Sequence, residues 1–250
     1  HAEQRTRRLS VQKSIVPCMT DAPGTFHGRR IALTGSSGFV GSAVIKRLKQ
    51  FDATVIPLVR CNRAGPEDVA WATDRTFQPD PRLEGLDAVI HLAGAGIASQ
   101  RWTRGRKAVL RSSRVEATQH LTQALSQLDA PLRVFIQASG IGIYGDRGDE
   151  WLTESSPAGH GFLAMLAQDW ESASQPLEQR GTRRVCLRIG TVLGPHGGAL
   201  AKMLPAFRWG AGGRLGSGRQ WMSWVSLNDL VSIIMHTLDS STLEGPVIAT

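Results

Sequence analysis

The sequence predicts an α/β fold in which a doubly wound parallel sheet is followed by a small C-terminal lobe. From residue 30 onward, short apolar runs alternate with segments of helical apolar spacing, which is the pattern of βαβ units. The first apolar run ends in a glycine-rich turn, TGSSGFVG at 34–41, that leads directly into a helical pattern. A strand, a glycine turn and a helix in this order are typical of nucleotide-binding sheets.

The elements follow the same alternation along the chain. The apolar run Ile31-Ala32-Leu33 gives the first strand, and Phe39, Val40, Val44 and Leu48 give the first helical stripe. The remaining runs predict strands over 54–59, 88–92, 132–138 and 185–189, and helices over 105–129, 161–171 and 199–209. His91 lies within one strand and is expected to be a core histidine. The chain therefore divides into a basic leader over 1–29, a dinucleotide-binding domain over 30–190 and a partial lobe over 191–250.

Composition narrows the class of protein. The 250 residues are 41% hydrophobic and 20% charged, as in ordinary globular proteins, and no apolar run is long enough to span a membrane. Three cysteines without a C-x-x-C pair indicate neither a disulfide framework nor a metal site, which suits the cytoplasm.

The net charge of +8 is concentrated in the leader. We expect this segment to be disordered, while an organelle-targeting segment or a nucleic-acid arm stays open. Binding of nucleic acid through the basic surface would appear as a steep dependence of affinity on salt.

The glycine turn has the spacing G-x-x-G-x-x-G, with Gly35, Gly38 and Gly41 at its three positions. The first glycine permits the tight turn, the second lets the backbone approach a pyrophosphate, and the third allows close packing of helix and sheet. The start of the helix offers free N–H groups and a positive dipole end to phosphates. We therefore assign cofactor binding to the whole loop: Thr34, Gly35, Ser37, Gly38, Phe39, Val40 and Gly41.

The end of the second strand indicates which dinucleotide binds. A carboxylate there would bond the ribose 2′-hydroxyl of NAD, whereas an arginine accommodates the 2′-phosphate of NADP. Residues 53–66 contain no Asp or Glu but contain Arg60 and Arg63. The sequence therefore predicts NADP(H), with Arg60 bound to the extra phosphate.

Several motifs resemble one protein superfamily. The glycine loop, LDAVIHLAG (86–94) and the strand that leads into IYG (143–145) resemble the extended short-chain dehydrogenases/reductases. RW (101–102), SSRVEAT (112–118), LTESSPAG (152–159) and the long stretch from LRIGTVLGPHGG to WVSLNDL (187–230) resemble its atypical, epimerase-like branch. The resemblance implies a Rossmann fold that binds NADP and a C-terminal lobe that normally continues beyond Thr250. It also implies that Leu92, Ala93 and Gly94 line the nicotinamide-ribose side and that Arg114 reaches the cofactor from the same direction.

The catalytic pair of the superfamily is missing from this chain. Catalytic members carry a Tyr-x-x-x-Lys pair in which the lysine lowers the tyrosine pKa, assisted by a serine. Tyr144 is the only tyrosine, and Gly148 stands four residues later. The helix over 161–171 offers Phe162, Leu163 and Leu166 where polar residues would stand. The candidates for proton chemistry near the expected site are Tyr144, Ser139, Asp146, Glu154, His160 and His196. We single out Ser139 and Tyr144, although Gly140 takes the usual serine position and Gln137 and Ile143 depart from the branch.

The late loop GSGRQWMSWV (216–225) resembles a loop that covers substrate in sugar-nucleotide enzymes, so Arg219 and Trp221 are candidate substrate contacts. An equally open reading is that these tryptophans join the lobe to the sheet. The function predicted is an NADP(H)-dependent oxidoreductase or epimerase-like enzyme on a small molecule, with a nucleotide sugar as one option. The alternative is an NADP(H)-binding regulator or scaffold without turnover, and the sequence leaves the substrate and the oligomeric state open.

Overall fold

A computed structural model describes residues 26–60, 64–66, 68–214 and 216–250. The described part contains nine strands, numbered in chain order: β1 Arg30–Thr34, β2 Thr54–Arg60, β3 Val69–Trp71, β4 Ala88–His91, β5 Val134–Gly140, β6 Arg183–Ile189, β7 Thr191–Gly194, β8 Trp224–Ser226 and β9 Gly245–Ala249. Seven of them form one sheet in the order β3-β2-β1-β4-β5-β6-β9, and every pair is parallel.

The strand order identifies the edge of the sheet where folds of this kind generally bind ligands. The chain runs outward from β1 to β3 on one side and then from β4 to β9 on the other. Between β1 and β4 the direction of winding reverses, and a crevice opens there beyond the carboxyl ends of the strands. The predicted doubly wound α/β fold is thereby confirmed.

The described residues form six α-helices: α1 Phe39–Gln50, α2 Arg104–Arg111, α3 Ala117–Leu125, α4 Phe162–Ser172, α5 Gly198–Arg208 and α6 Leu227–Asp239. The helix predicted as continuous over 105–129 is interrupted, because Ser112–Glu116 forms a π-helical turn between α2 and α3. Such turns widen the helix locally and are frequent at functional sites. Leu121, Leu125 and Leu128 are buried as their spacing predicted.

Alternate side chains of the strands pack on opposite faces of the sheet. On β1, Ile31 and Leu33 belong to the core cluster that α1 and α6 cover. Ala32, between them, belongs to the cluster that α3 covers. This period of two along each strand, with helices on both faces, explains why the central strands read as continuous apolar runs.

The ordered fold begins earlier than the boundary predicted at residue 29. Phe26 is fully buried, and its ring meets that of Phe51 edge to face at 6.0 Å. Burial of this aromatic side chain helps to hold the short segment on the core. Residues 26–29 therefore belong to the fold, and the rest of the predicted leader lies outside the described residues.

The segment 191–250 contributes to two structures. β7 and β8 pair in a separate parallel ribbon, and α5 packs beside it without a fully buried residue. α6 and β9 return to the main sheet, where β9 pairs with β6. Among the described residues, no helix has the length and apolar content needed to cross a bilayer.

Candidate functional site

The glycine loop is at the carboxyl end of β1, beside the crevice. Gly35 has a φ of +74°, and a Cβ atom on it would lie 3.0 Å from the carbonyl carbon and oxygen of Leu92. A Cβ on Gly41 would lie 2.2 Å from the Gly35 oxygen. Any side chain at these two positions would therefore force the backbone apart, as expected for a loop that must stay close to helix and sheet.

Gly38 occupies the N-cap position of α1, and no side chain caps this helix terminus. Its N–H bonds to the Gly35 oxygen at 2.9 Å, which closes the turn and leaves the next N–H groups of the helix directed outward. Ser37 is exposed. The start of α1 thus presents uncapped donors and a positive dipole end at the crevice.

Phe39 and Val40, also assigned to the loop, contribute their side chains to packing. A Cβ on Gly197 would lie 2.3 Å from the Phe39 ring, so this ring is pressed against the start of α5. Val40 packs against the core that α1 covers. The side chains of these two residues therefore help to hold the loop in place.

Thr34 connects the loop to β4. Its Oγ1 accepts the backbone N–H groups of Leu92 and Ala93, both at 3.1 Å, and lies 2.8 Å from Nδ1 of His91. Since both lone pairs of the oxygen are occupied, its proton is donated to Nδ1. Thr34 therefore fixes the start of the segment Leu92–Gly94.

His91 continues this chain of hydrogen bonds into the helical layer. Its Nε2 is 2.8 Å from Oγ1 of Thr118, which also accepts the indole N–H of Trp170 at 3.0 Å. Burial, and to a lesser extent the charge of Arg114, lowers the pKa of His91 to about 3. The ring is a neutral core histidine, as predicted, with its proton on Nε2.

Arg60 is the last residue of β2, at the carboxyl edge of the sheet, and its side chain is exposed. β2 is the direct neighbour of β1, with Thr34 opposite Leu58. The guanidinium is therefore on the same edge as the glycine loop, two strands from β4. Arg63, the second arginine of this stretch, lies outside the described residues.

A cavity of about 570 Å³ opens at this edge, beyond β4, β5 and β6. Its wall is mainly apolar and comes from the strand ends and from α4: Leu92, Ala138, Leu163, Leu166, Trp170 and Ile189. Arg114, Ser139 and Thr191 contribute the polar side chains of the lining. The volume is that of a site for a small organic molecule.

Arg114 stems from the π-helical turn and lines this cavity. A Cβ on Gly94 would lie 3.1 Å from its Cζ, so the glycine is what allows the guanidinium to lie against the end of the Leu92–Gly94 segment. Its side chain also lies over the Trp170 ring, at 5.0 Å from the centroid. Burial, with a smaller contribution from Arg106, lowers the pKa of Arg114 to about 10.

Ser139 and Tyr144 belong to one polar network with Glu171 and Arg188. Ser139 lines the cavity, and its hydroxyl donates to Glu171 Oε1 at 2.6 Å. Tyr144 is buried and does not line the cavity. Its hydroxyl accepts Nη1 of Arg188 at 2.8 Å. Of the two candidates, therefore, only Ser139 is in the cavity wall.

Arg188 and Glu171 are functional-site residues that sequence reasoning missed. Burial opposes the charge of Arg188, but its hydrogen bonds and charge interactions with Glu171 and Tyr144 outweigh this effect and raise its pKa. The sequence contained one indication of this pair: Arg188 interrupts the apolar run that predicts a strand over 185–189, and a buried arginine requires a partner.

Helix α4 presents apolar side chains where catalytic relatives place polar ones. Leu163, Leu166 and Ala167 line the cavity, and Phe162 packs edge to face on Trp102 at 5.8 Å. The absence of the Tyr-x-x-x-Lys pair thus leaves a hydrophobic wall at this position.

The late glycine loop reaches the cavity through its backbone, where the Ser223 oxygen accepts the N–H of the lining residue Thr191 at 2.9 Å. Trp221 is 77% exposed, and its indole N–H donates to Asp149 Oδ1 at 2.6 Å. Arg219 is exposed, and its backbone N–H bonds to Ser217 Oγ at 3.3 Å. Neither side chain contributes to the cavity lining, so their assignment as substrate contacts stays a prediction.

Comparisons with known proteins agree with this arrangement. Residues 31–248 match the NAD dependent epimerase/dehydratase family. The epimerase family protein Mb2239 of Mycobacterium bovis is 42% identical over 217 residues, which are 87% of this chain and 71% of that protein. The human epimerase family protein SDR39U1 (isoform 2), solved with NADPH, superposes with a TM-score of 0.79 at 30% identity, over 88% of this chain and 74% of that one.

This chain is also similar to a second solved structure, but the match covers a smaller part of that structure. The nucleoside-diphosphate sugar epimerase of Corynebacterium glutamicum has a TM-score of 0.77 and 33% identity, and the match covers 91% of this chain but 46% of that chain. The chain thus spans about half of this structure.

Proposed function

Because the chain belongs to the NAD dependent epimerase/dehydratase family, we propose that it binds NADP(H) and acts as an oxidoreductase or epimerase-like enzyme on a small molecule. One observation carries the proposal: an uncapped helix start behind a glycine turn lies on the same sheet edge as Arg60. The first feature suits a pyrophosphate and the second a 2′-phosphate. A relative solved with NADPH supports the same cofactor.

The residues present fit a dinucleotide. Gly35, Gly38 and Gly41 leave the loop without side chains where a Cβ would collide with the backbone, so the phosphates can approach the N–H groups at the start of α1. Arg60 would hold the 2′-phosphate by charge-assisted hydrogen bonds. The Leu92–Gly94 segment, fixed by Thr34, would bind the nicotinamide ribose at the mouth of the cavity.

The bound cofactor supplies the hydride chemistry. The protein itself orients the reactants and excludes water with the apolar wall of Leu163, Leu166 and Trp170. The Ser139 hydroxyl is the best candidate for proton transfer, because it lines the cavity and is hydrogen-bonded to the carboxylate of Glu171. Tyr144 supports this corner of the site through Arg188.

Cofactor choice is tested by binding of NADPH and NADH to the wild-type protein and to Arg60→Asp. Loss of a charge-assisted contact should weaken NADPH binding about 10- to 100-fold and NADH binding far less. Lys49→Asp makes the same charge reversal at an exposed position in the last turn of α1, at the far end from the glycine loop, and should change neither affinity appreciably. Equal losses for both cofactors in Arg60→Asp would contradict the assignment of Arg60.

A second candidate function is an NADP(H)-binding regulator without turnover. The observation that favours it is the engagement of both candidate hydroxyls within the protein, Ser139 by Glu171 and Tyr144 by Arg188. A screen of carbonyl compounds and nucleotide sugars, in which turnover is measured as loss of nicotinamide absorbance, distinguishes the enzyme from the regulator. Turnover of any substrate supports the enzyme, while tight NADPH binding without turnover across the screen supports the regulator.

A further inference from the structure

We propose that Arg114 is the counter-ion for a carboxylate group of the substrate, and that the cavity takes a small, largely apolar carboxylic acid. Arg114 is 7% exposed and lines the cavity wall. A buried guanidinium ordinarily has an acidic partner, because taking its charge out of water is costly. In this fold the partner is missing from the protein and has to come from a ligand.

The hydrogen bonds of Arg114 within the described residues leave most of its donors unused. Nη1 donates to the Leu110 oxygen at 3.5 Å, at the long limit for such a bond. No ion pair to Arg114 exists within the described part of the chain. The contact with the Trp170 ring offers some compensation through the aromatic face, but it leaves Nε and Nη2 without an acceptor in the described part of the chain.

The carboxylate of the polar network beside the cavity already has partners. Glu171 accepts the Ser139 hydroxyl on Oε1 and pairs with Arg188 through both oxygens. Its negative charge is therefore balanced, and Arg114 stays as a net positive charge in an apolar wall. Arg106 adds to this positive potential and lowers the pKa of Arg114.

The cofactor assignments of the proposed function, on which this step rests, put Arg114 beside the nicotinamide ribose, a part of the cofactor without negative charge. The anionic groups of NADP(H) are its pyrophosphate and its 2′-phosphate, which we assign to the glycine loop and to Arg60. Arg114 lies against Gly94 instead, on the nicotinamide side, where the cofactor carries no negative charge. The counter-ion is therefore expected on the second molecule in the cavity.

The chemistry of the lining narrows the ligand further. Arg114 contributes the guanidinium in the described lining of the cavity, and its planar pair of N–H groups matches a carboxylate. A phosphate monoester would bring about 1.5 to 2 charges. The surrounding side chains, Leu163, Leu166, Ile189 and Trp170, are apolar, so they favour a hydrocarbon or aromatic body over a sugar.

The test compares trans-cinnamate with trans-cinnamamide, which has the same shape without the charge. Binding to the full chain is measured by isothermal titration calorimetry with NADPH present, for the wild type and for Arg114→Met. We expect the wild type to bind the acid at least about tenfold more tightly than the amide. Arg114→Met should abolish the preference. Arg104→Met, an exposed position at the start of α2, should retain it.

The outcomes separate this inference from the proposed function. NADPH binding is titrated independently, and its failure counts against the proposed function alone, since cinnamate titrated without cofactor still reports on Arg114. Failure to bind cinnamate, equal affinity for acid and amide, or a preference that survives in Arg114→Met overturns the inference. Tighter Arg114-dependent binding of phenyl phosphate than of cinnamate overturns the carboxylate assignment. If Arg114→Met does not fold, Arg114→Gln removes the same charge and decides the question.

Discussion

Arg188 and Glu171 form a two-armed ion pair beside the cavity, with Nε to Oε1 and Nη2 to Oε2 both at 3.0 Å. The two side chains are only 10% and 14% exposed. Arg188 also donates to the Tyr144 hydroxyl at 2.8 Å and to the Glu154 oxygen at 2.9 Å. One arginine of β6 therefore joins α4, the turn that contains Tyr144 and the loop before α4.

Replacing Arg188 by methionine should lower the free energy of unfolding by about 3–5 kcal/mol, because Glu171 would remain as an uncompensated buried charge. The double variant Arg188→Met/Glu171→Gln should lose less than the sum of the two single changes. Urea unfolding of the wild type, the two single variants and the double variant measures the loss of stability and its non-additivity. Arg111→Met breaks a half-exposed ion pair with Asp169 and should cost no more than about 1 kcal/mol. A similar cost for Arg111→Met and Arg188→Met would contradict the structural importance of the buried pair.

Two glycine-to-alanine changes should have opposite effects on stability. Gly41→Ala places a Cβ 2.2 Å from the Gly35 oxygen, which should destabilise the fold by about 1–3 kcal/mol and weaken NADPH binding by distorting the loop. Gly105→Ala meets no atom within 4 Å and lies in α2, where alanine should stabilise by about 0.5–1 kcal/mol. Denaturant unfolding and NADPH titration measure the two effects. Unchanged NADPH affinity in Gly41→Ala would refute the role given to this loop.

His91 should make the protein less stable in mild acid. In the unfolded chain the pKa of His91 is about 6.5, whereas burial lowers it in the folded state to about 3. Between these values the unfolded chain binds more protons, so stability decreases as the pH falls, by about 1.4 kcal/mol per pH unit from this group alone. Urea unfolding from pH 7.5 to 4.5 should show a shallower slope for His91→Asn than for the wild type.

The comparison of slopes has an internal control. His27→Asn changes a histidine that is 77% exposed, and it should leave the wild-type slope intact. An NMR titration of the His91 ring offers a direct reading, since its signals should not move between pH 8 and 5. A midpoint near 6.5 would show that the ring is not sequestered with Thr34 and Thr118.

Sequence patterns predicted most elements whose determining contacts are local, although the helix α6 was missed despite its N-cap at Ser226. The glycine loop, β1, β4 and α4 follow from runs of neighbouring residues, and the structure places each of them within one or two positions. β3, with three residues, is too short for a periodic signal. β9 was also missed, because what makes Gly245–Ala249 a strand is its pairing with β6, far away in the chain.

The polar chemistry of the site depended on contacts between distant elements. Glu171 and Arg188 are on α4 and β6, and nothing in the residues between them indicates that they pair. The π-helical turn was equally hidden, since its sequence continues the helical pattern on both sides. Arg114 was placed near the cofactor by resemblance, but its lack of an acidic partner only became visible once the surrounding side chains were in position.

The hydrogen-bonded chain from Thr34 through His91 and Thr118 to Trp170 spans β1, β4, α3 and α4 before any ligand arrives. Each of these side chains has already given up its rotational freedom during folding. Ordering a flexible side chain on association costs about 0.5–1.5 kcal/mol, and a ligand that contacts Trp170 does not incur this cost for the indole. The cavity is thus preorganised along the wall that meets the cofactor loop, and its affinity reflects the contacts made there rather than the entropy of assembling them.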